Sequence, residues 1–151
     1  MANVQAIASS FKTELLNGIH AFGTTVVRGA TTVDSFKAAL YLASGSLGAS
    51  TTAYSATSEV SGTGYTATGV AVTNANVPAS TSGTSYWTPS AAFAWTTVTL
   101  ATAFDAVLLY NVTQGGKAVA VFNFGSQTVT AGNFTLNMPT NDNATGLLRL
   151  T

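Results

Sequence analysis

Apolar and polar positions along this chain follow a strand-like period, and the pattern is clearest between Phe104 and Gly125. Two apolar runs, Ala106–Tyr110 and Ala118–Phe124, flank the polar link Thr113-Gln114-Gly115-Gly116. Gly-Gly between β-prone runs predicts a hairpin, because glycine reaches the positive φ that tight hairpin turns require. Both runs are rich in Val, Leu, Tyr and Phe, and neither spaces its apolar residues as a helix would. Alternation also predicts half-buried strands over 34–43, where Phe36, Ala38, Leu40 and Leu42 share a face, and over 93–100, led by Phe93 and Trp95. Shorter strands are expected at 70–73, 127–130, 133–138 and 147–150, and Asn74–Pro89 reads as turn-rich.

Residues 9–19, SSFKTELLNGI, give the one helical pattern. Ser9 or Ser10 can cap it, Phe11, Leu15 and Leu16 fall on one side, and Gly18 suits its end. Residues 1–8 contain Val4 and Ile7, odd choices for a solvated tail, and read as an N-terminal arm ahead of a single β-sandwich domain over 9–151. The stretch from Ser44 to Gly69 is too long for a plain linker, so it is expected to fold on itself or over a neighbour. Its Gly62-Thr63-Gly64 lacks the strand, helix and lysine of a phosphate loop and reads as a structured turn. About eight strands with one short N-terminal helix predict an all-β fold, a two-sheet antiparallel sandwich of jelly-roll-like form.

Charge changes the picture more than any motif. Only 7% of the 151 residues are charged, against about 25% in ordinary soluble domains. Five basic and five acidic residues cancel. Each neutralised phosphate of a nucleic acid needs a Lys or Arg, and Lys12, Arg28, Lys37, Lys117 and Arg149 are too dispersed to form a basic face. Neither nucleic acid nor an anionic membrane is an expected partner, and no run approaches the ~18 apolar residues of a membrane helix. So few charges favour self-association, which points to a surface covered by permanent contacts. The first residues lack a basic stretch before their apolar patch, so synthesis and folding in a cytoplasm are expected.

Candidate chemistry is sparse. The acids Glu14, Asp34, Glu59, Asp105 and Asp142 form no recognisable glycosidase pair, and Asp105 reads as a turn or edge residue. His20 is the sole histidine and the chain has no cysteine, so neither a serine nucleophile with its base nor a zinc site can be assembled. His20 reads as a capping or locally hydrogen-bonded residue. Oxygen ligands cluster at Thr140–Asn143, but one carboxylate without an EF-hand pattern argues against calcium. Asn-x-Thr occurs at Asn111, Asn133 and Asn143, as chance allows in a chain rich in both residues. No enzyme, cofactor or metal is expected. Tyr54, Tyr65, Tyr86 and Trp87 read as exposed aromatics, either anchors of an interface or a sugar-stacking platform, while Phe93, Trp95, Phe122 and Phe124 read as core.

The segments SFKTELLNGIH, SFKAALYLASGSLGASTTAY, EVSGTGYTATG and FDAVLLYN followed by GGKAVAVFNFGSQTVTAGNFTLNMP resemble, in this order, small virion proteins of tailed bacteriophages that act as capsid cement or head decoration. The resemblance implies a jelly-roll fold on the exterior of the capsid shell, and a homodimer, or another oligomer, that bridges neighbouring major capsid proteins. It implies no catalytic residue. On it, the N-terminal segment with Val4 and Ile7, the Ser44–Gly69 excursion with Tyr54 and Tyr65, and Tyr86 with Trp87 become candidate capsid or subunit contacts. The competing expectation is a glycan-binding module, or a tail or fibre component for host adsorption.

Overall fold

The hairpin signalled by Gly115-Gly116 is the spine of the molecule. The computed structural model of the protein describes residues 2–8, 11, 15, 19–24 and 33–151. Its strands are β1 (Ala6–Ile7), β2 (Phe36–Leu42), β3 (Val70–Ala71), β4 (Ala79–Thr81), β5 (Thr84–Trp87), β6 (Phe93–Asn111), β7 (Lys117–Leu136) and β8 (Leu148–Leu150). They form two antiparallel sheets, one in the order β1-β7-β6-β2-β3 and one in the order β4-β5-β8. Among the described residues the fold is all-β, as expected, with the strands divided five and three.

β6 and β7 are longer than the sequence suggested, at 19 and 20 residues. The apolar pattern divides β6 in two and β7 in three, because Thr, Gly and Ala interrupt the apolar runs. In the structure those interruptions are irregularities within continuous strands. Register shifts fall between Trp95 and Val98, Val98 and Leu100, and Leu100 and Phe104, and Thr97 and Ala131 have φ of 54° and 46°. Bulges of this kind bend and twist a ribbon without ending it. Towards the turn, Phe104–Asn111 of β6 is buried residue after residue: β7 and β2 cover its edges, and side chains from outside the sheet, such as Tyr54 stacked on Tyr110, pack on its faces. That accounts for a continuous apolar run where a half-buried strand would alternate.

β4 and β5 lie in the stretch that reads as turn-rich. Ser82 and Gly83, with φ of 52° and 82°, join them, and Thr81 pairs with Thr84. Two positive-φ positions in succession make the two-residue hairpin turn, and Ser-Gly is its signal. Aromatic stacking joins the sheets: Phe22 lies 5.0 Å from Phe36 of β2 and 4.7 Å from Trp87 of β5. The core accordingly draws on β2, β6 and β7 together with Trp87 and Leu148.

Residues 2–8 do not extend as an arm. Asn3 is 5% exposed, Val4 N–H donates to Leu47 O at 2.9 Å, and Ala6 and Ile7 pair with Val121 and Ala120. The segment is an edge strand of its own chain's sheet, because Ile7 and Ala8 bury apolar surface there and Asn3 finds partners for its amide. The helix expected over 9–19 lies outside the described residues except at Phe11, which is buried, and at Leu15 and Ile19, which are half-buried.

The Ser44–Gly69 excursion lies across the same sheet. Tyr54 N–H donates to Gly116 O at 2.7 Å, Val60 N–H to Leu40 O at 2.9 Å, and Ala118 N–H to Thr52 O at 3.0 Å. Its glycines are set by close approach: a Cβ on Gly62 would stand 2.2 Å from Thr99 O, and one on Gly69 2.0 Å from Ala38 O. The Gly62-Thr63-Gly64 turn is thus shaped by backbone lying on backbone, with no phosphate cradle.

Candidate functional site

The densest polar constellation centres on Glu59, which no sequence motif marked. Tyr54 OH donates to its Oε2 at 2.6 Å, and Tyr65 OH and Thr68 N–H donate to its Oε1, each at 2.8 Å. Around this carboxylate, Tyr41 OH donates to Ser55 O at 2.6 Å and Tyr110 OH to Thr68 O at 2.7 Å. Tyr65 OH in turn accepts from Leu40 N–H at 3.1 Å. Lys37 Nζ donates to Thr68 Oγ1 at 2.6 Å. Thr68 holds a φ of 76°, a costly conformation for a β-branched residue, and three neighbours pin it there.

Electrostatics follow from that packing. Burial, then the hydrogen bond and charge of Glu59, push the Tyr54 phenol up to about 12. Burial likewise raises Tyr41, Tyr65 and Tyr110 above the ordinary tyrosine value. These phenols are poor acids, held neutral as hydrogen-bond donors. The cluster fastens the excursion to β2 and to the hairpin.

Two further buried clusters serve the same end. Asn3 Nδ2 donates to Asp105 Oδ1 at 2.5 Å and to Leu42 O at 2.9 Å, while Asn3 Oδ1 accepts from Leu47 N–H. Asp105 is therefore a buried mid-strand residue of β6 and not the turn or edge residue expected, because Asn3 supplies its donor. Asn111, fully buried, donates to Asp34 Oδ2 at 2.8 Å and approaches His20 Nδ1 at 3.1 Å. With Nδ1 accepting, the imidazole carries its proton on Nε2. The contact with Asn111 ties His20 to a residue 91 positions away. Burial of Asn111 also closes its Asn-x-Thr site to a glycan.

At the far end, Asp142 Oδ1 accepts from the N–H groups of Ala144 and Thr145 and from Thr145 Oγ1. Those bonds, led by the Thr145 N–H, hold its carboxyl below the usual range. The oxygens clustered at Thr140–Asn143 close a turn. Among the described residues no three of His, Cys, Asp and Glu gather in metal-binding distance.

The aromatic candidates separate. Tyr54 and Tyr65 meet at Glu59 and are half-buried. Trp87 is 2% exposed, with its Nε1 donating to Asn76 O at 3.0 Å; it is core, not an exposed stacking face. Its neighbours Phe22 and Phe36 explain this, since together they bury the face that a sugar would need. Tyr86 is half-buried beside Gly146. Val4 is 61% exposed, whereas Ile7, with Gln5, Phe122 and Arg149, lines a cavity of about 380 Å³. These six residues form no single patch. No protein-family model, curated protein or solved structure matches this chain.

Proposed function

We propose that this chain is a structural virion protein, a cement that binds the outside of a bacteriophage head and ties neighbouring major capsid subunits together. What carries the reading is the employment of its polar side chains. Glu59, Asp105, Asp34 and Asp142 each accept from side chains or backbone of loops that they hold down, and the chain is 7% charged. A rigid scaffold with loops fixed on it and little surface charge suits a protein working through repeated, permanent contacts. The segment resemblance described above points the same way. The likeness to a jelly roll is proposed at the level of two antiparallel sheets about one core.

The mechanism is mechanical and needs neither cofactor nor nucleic acid. A dimer that bridges two capsid subunits makes its second contact at high effective concentration, so avidity exceeds either contact alone. Binding to the expanded shell and not to its precursor stabilises that state by mass action. The protein is made in the bacterial cytoplasm and ends on the capsid exterior. Purified protein added to undecorated expanded heads is expected to bind stoichiometrically and raise their disruption temperature. Absence of binding sinks the proposal, and glycan binding in its place would favour the host-adsorption reading, which has lost Trp87 from its platform.

A further inference from the structure

The hairpin also indicates where two copies of the chain meet. β6 lies along one edge of β7 for its full length. On the other edge β1 covers Ala120 and Val121, and among the described residues no strand pairs with β7 beyond Asn123. Gly125–Thr128, Thr130, Ala131, Asn133 and Thr135 are exposed. An unpaired edge offers a row of backbone N–H and C=O groups to another strand, and proteins usually guard it with Lys, Pro or brevity.

Here the guards are missing. Neither 93–104 nor 124–136 contains a charged residue or a proline. Among the terminal strands, β1 and β3 have two residues each, β4 follows Pro78, and β8 carries Arg149, while the outer edge of β6 before Phe104 is met by Thr63 at Thr99 and by Ala43 at Ala103. Within the open edge, Ser126–Thr130 runs as strand between two left-handed positions, Gly125 at φ 82° and Ala131 at φ 46°.

We propose that Ser126–Thr130 pairs antiparallel with the same segment of a second copy, about a two-fold axis at Thr128, joining the two five-stranded sheets into one. A second copy is the occupant that the chemistry selects. Antiparallel pairing of identical segments is self-complementary, as a two-fold interface must be. Threonine opposite threonine is a favourable cross-strand pair, and zero net charge removes the repulsion that keeps like chains apart. A charged partner would find no countercharge on this ribbon. The inference deepens the cement reading by placing its dimer contact, and it rests on that reading only for the use of the dimer.

The absence of native cysteine makes the test clean. Opposed residues in an antiparallel pair have Cα atoms about 4.5–5.5 Å apart, inside disulfide reach. Full-length Thr128→Cys is expected to form a covalent dimer on mild oxidation, whereas Thr140→Cys, on an exposed loop, stays monomeric on a denaturing gel. Independently, Thr128→Lys opposes like charges at the axis and is expected to weaken the native dimer at least ~tenfold in sedimentation equilibrium, with unchanged circular dichroism. A wild-type chain still monomeric at roughly 100 µM, equal cross-linking at both positions, or a dimer indifferent to Thr128→Lys overturns the pairing. Head binding is measured separately: a monomer that binds heads overturns the pairing alone, and a Thr128-dependent dimer that ignores heads supports the pairing while removing the cement role.

Discussion

Glu59 shows how one side chain organises a loop. Three donors converge on its carboxylate, and hydrogen bonds to a charged acceptor are the stronger kind. Glu59→Gln keeps the shape but turns an amide N–H₂ towards a donor, and is expected to lower stability by roughly 1–3 kcal/mol in urea unfolding. The tyrosines give a pH signature. A phenol is neutral below its pKa, so raised values mean that the folded chain keeps protons which the unfolded chain releases above pH 10. Stability is therefore complete below pH 10 and is lost as pH rises towards 12, the value reached by Tyr54. Urea midpoints across that window check it, and a midpoint unchanged at pH 12 contradicts it. In Glu59→Gln the loss still begins near pH 10 but is smaller and complete at lower pH, because the charge that helps to raise Tyr54 and Tyr65 is gone.

At the scale of elements, two contacts decide whether loops and strands can lie together. Gly69 and Gly83 both have positive φ, 76° and 82°, but only Gly69 has backbone against its missing side chain. Gly83→Ala should therefore cost about 1 kcal/mol from conformation alone, and Gly69→Ala at least ~3 kcal/mol. Equal losses in thermal unfolding would show that close packing on Ala38 is not what selects glycine there. The edge strand behaves similarly. Removing residues 2–8 takes away the donor of buried Asp105 along with β1, so it is expected to lower the unfolding midpoint, and Asn3→Ala alone by roughly 2–3 kcal/mol. A free arm would be deleted at no such loss.

For the molecule as a whole, scarcity of charge governs both folding and partners. Val121 is fully buried in β7 between β1 and β6, so Val121→Asp is expected to abolish folding, read by loss of the cooperative transition. Binding to heads should change little from roughly 0.05 to 0.5 M salt, because few charges are present to be screened; a steep salt dependence would identify an electrostatic contact. The central hairpin, β2 and the sheet class were legible in the sequence, since Gly115-Gly116, the run at 106–110 and the alternation at 36–42 are local signals. The five-and-three division, the Asn3–Asp105 contact and the burial of Trp87 were not. Each depends on residues that meet only in three dimensions, and an alternating pattern carries no information on which strand lies opposite. The polar hub at Glu59 was hidden for the same reason, since Tyr41 and Tyr110 reach it from β2 and β6 and not from its own stretch of sequence.

The pairing of the first residues with β7 sets a timetable for synthesis. Asn3 donates to Asp105, 102 residues later, and its carbonyl accepts from Asn123, 120 residues later. The chain's first strand thus leaves the ribosome long before its partner exists, while the β6–β7 hairpin can zip from its own turn as soon as both strands emerge. Closure of the N-terminal edge becomes the last step, available only to a chain that is nearly complete. A polypeptide cut short before β7 would leave that strand unpaired, so incomplete products should be recognised as unfolded and degraded before they could compete for a place in an assembly.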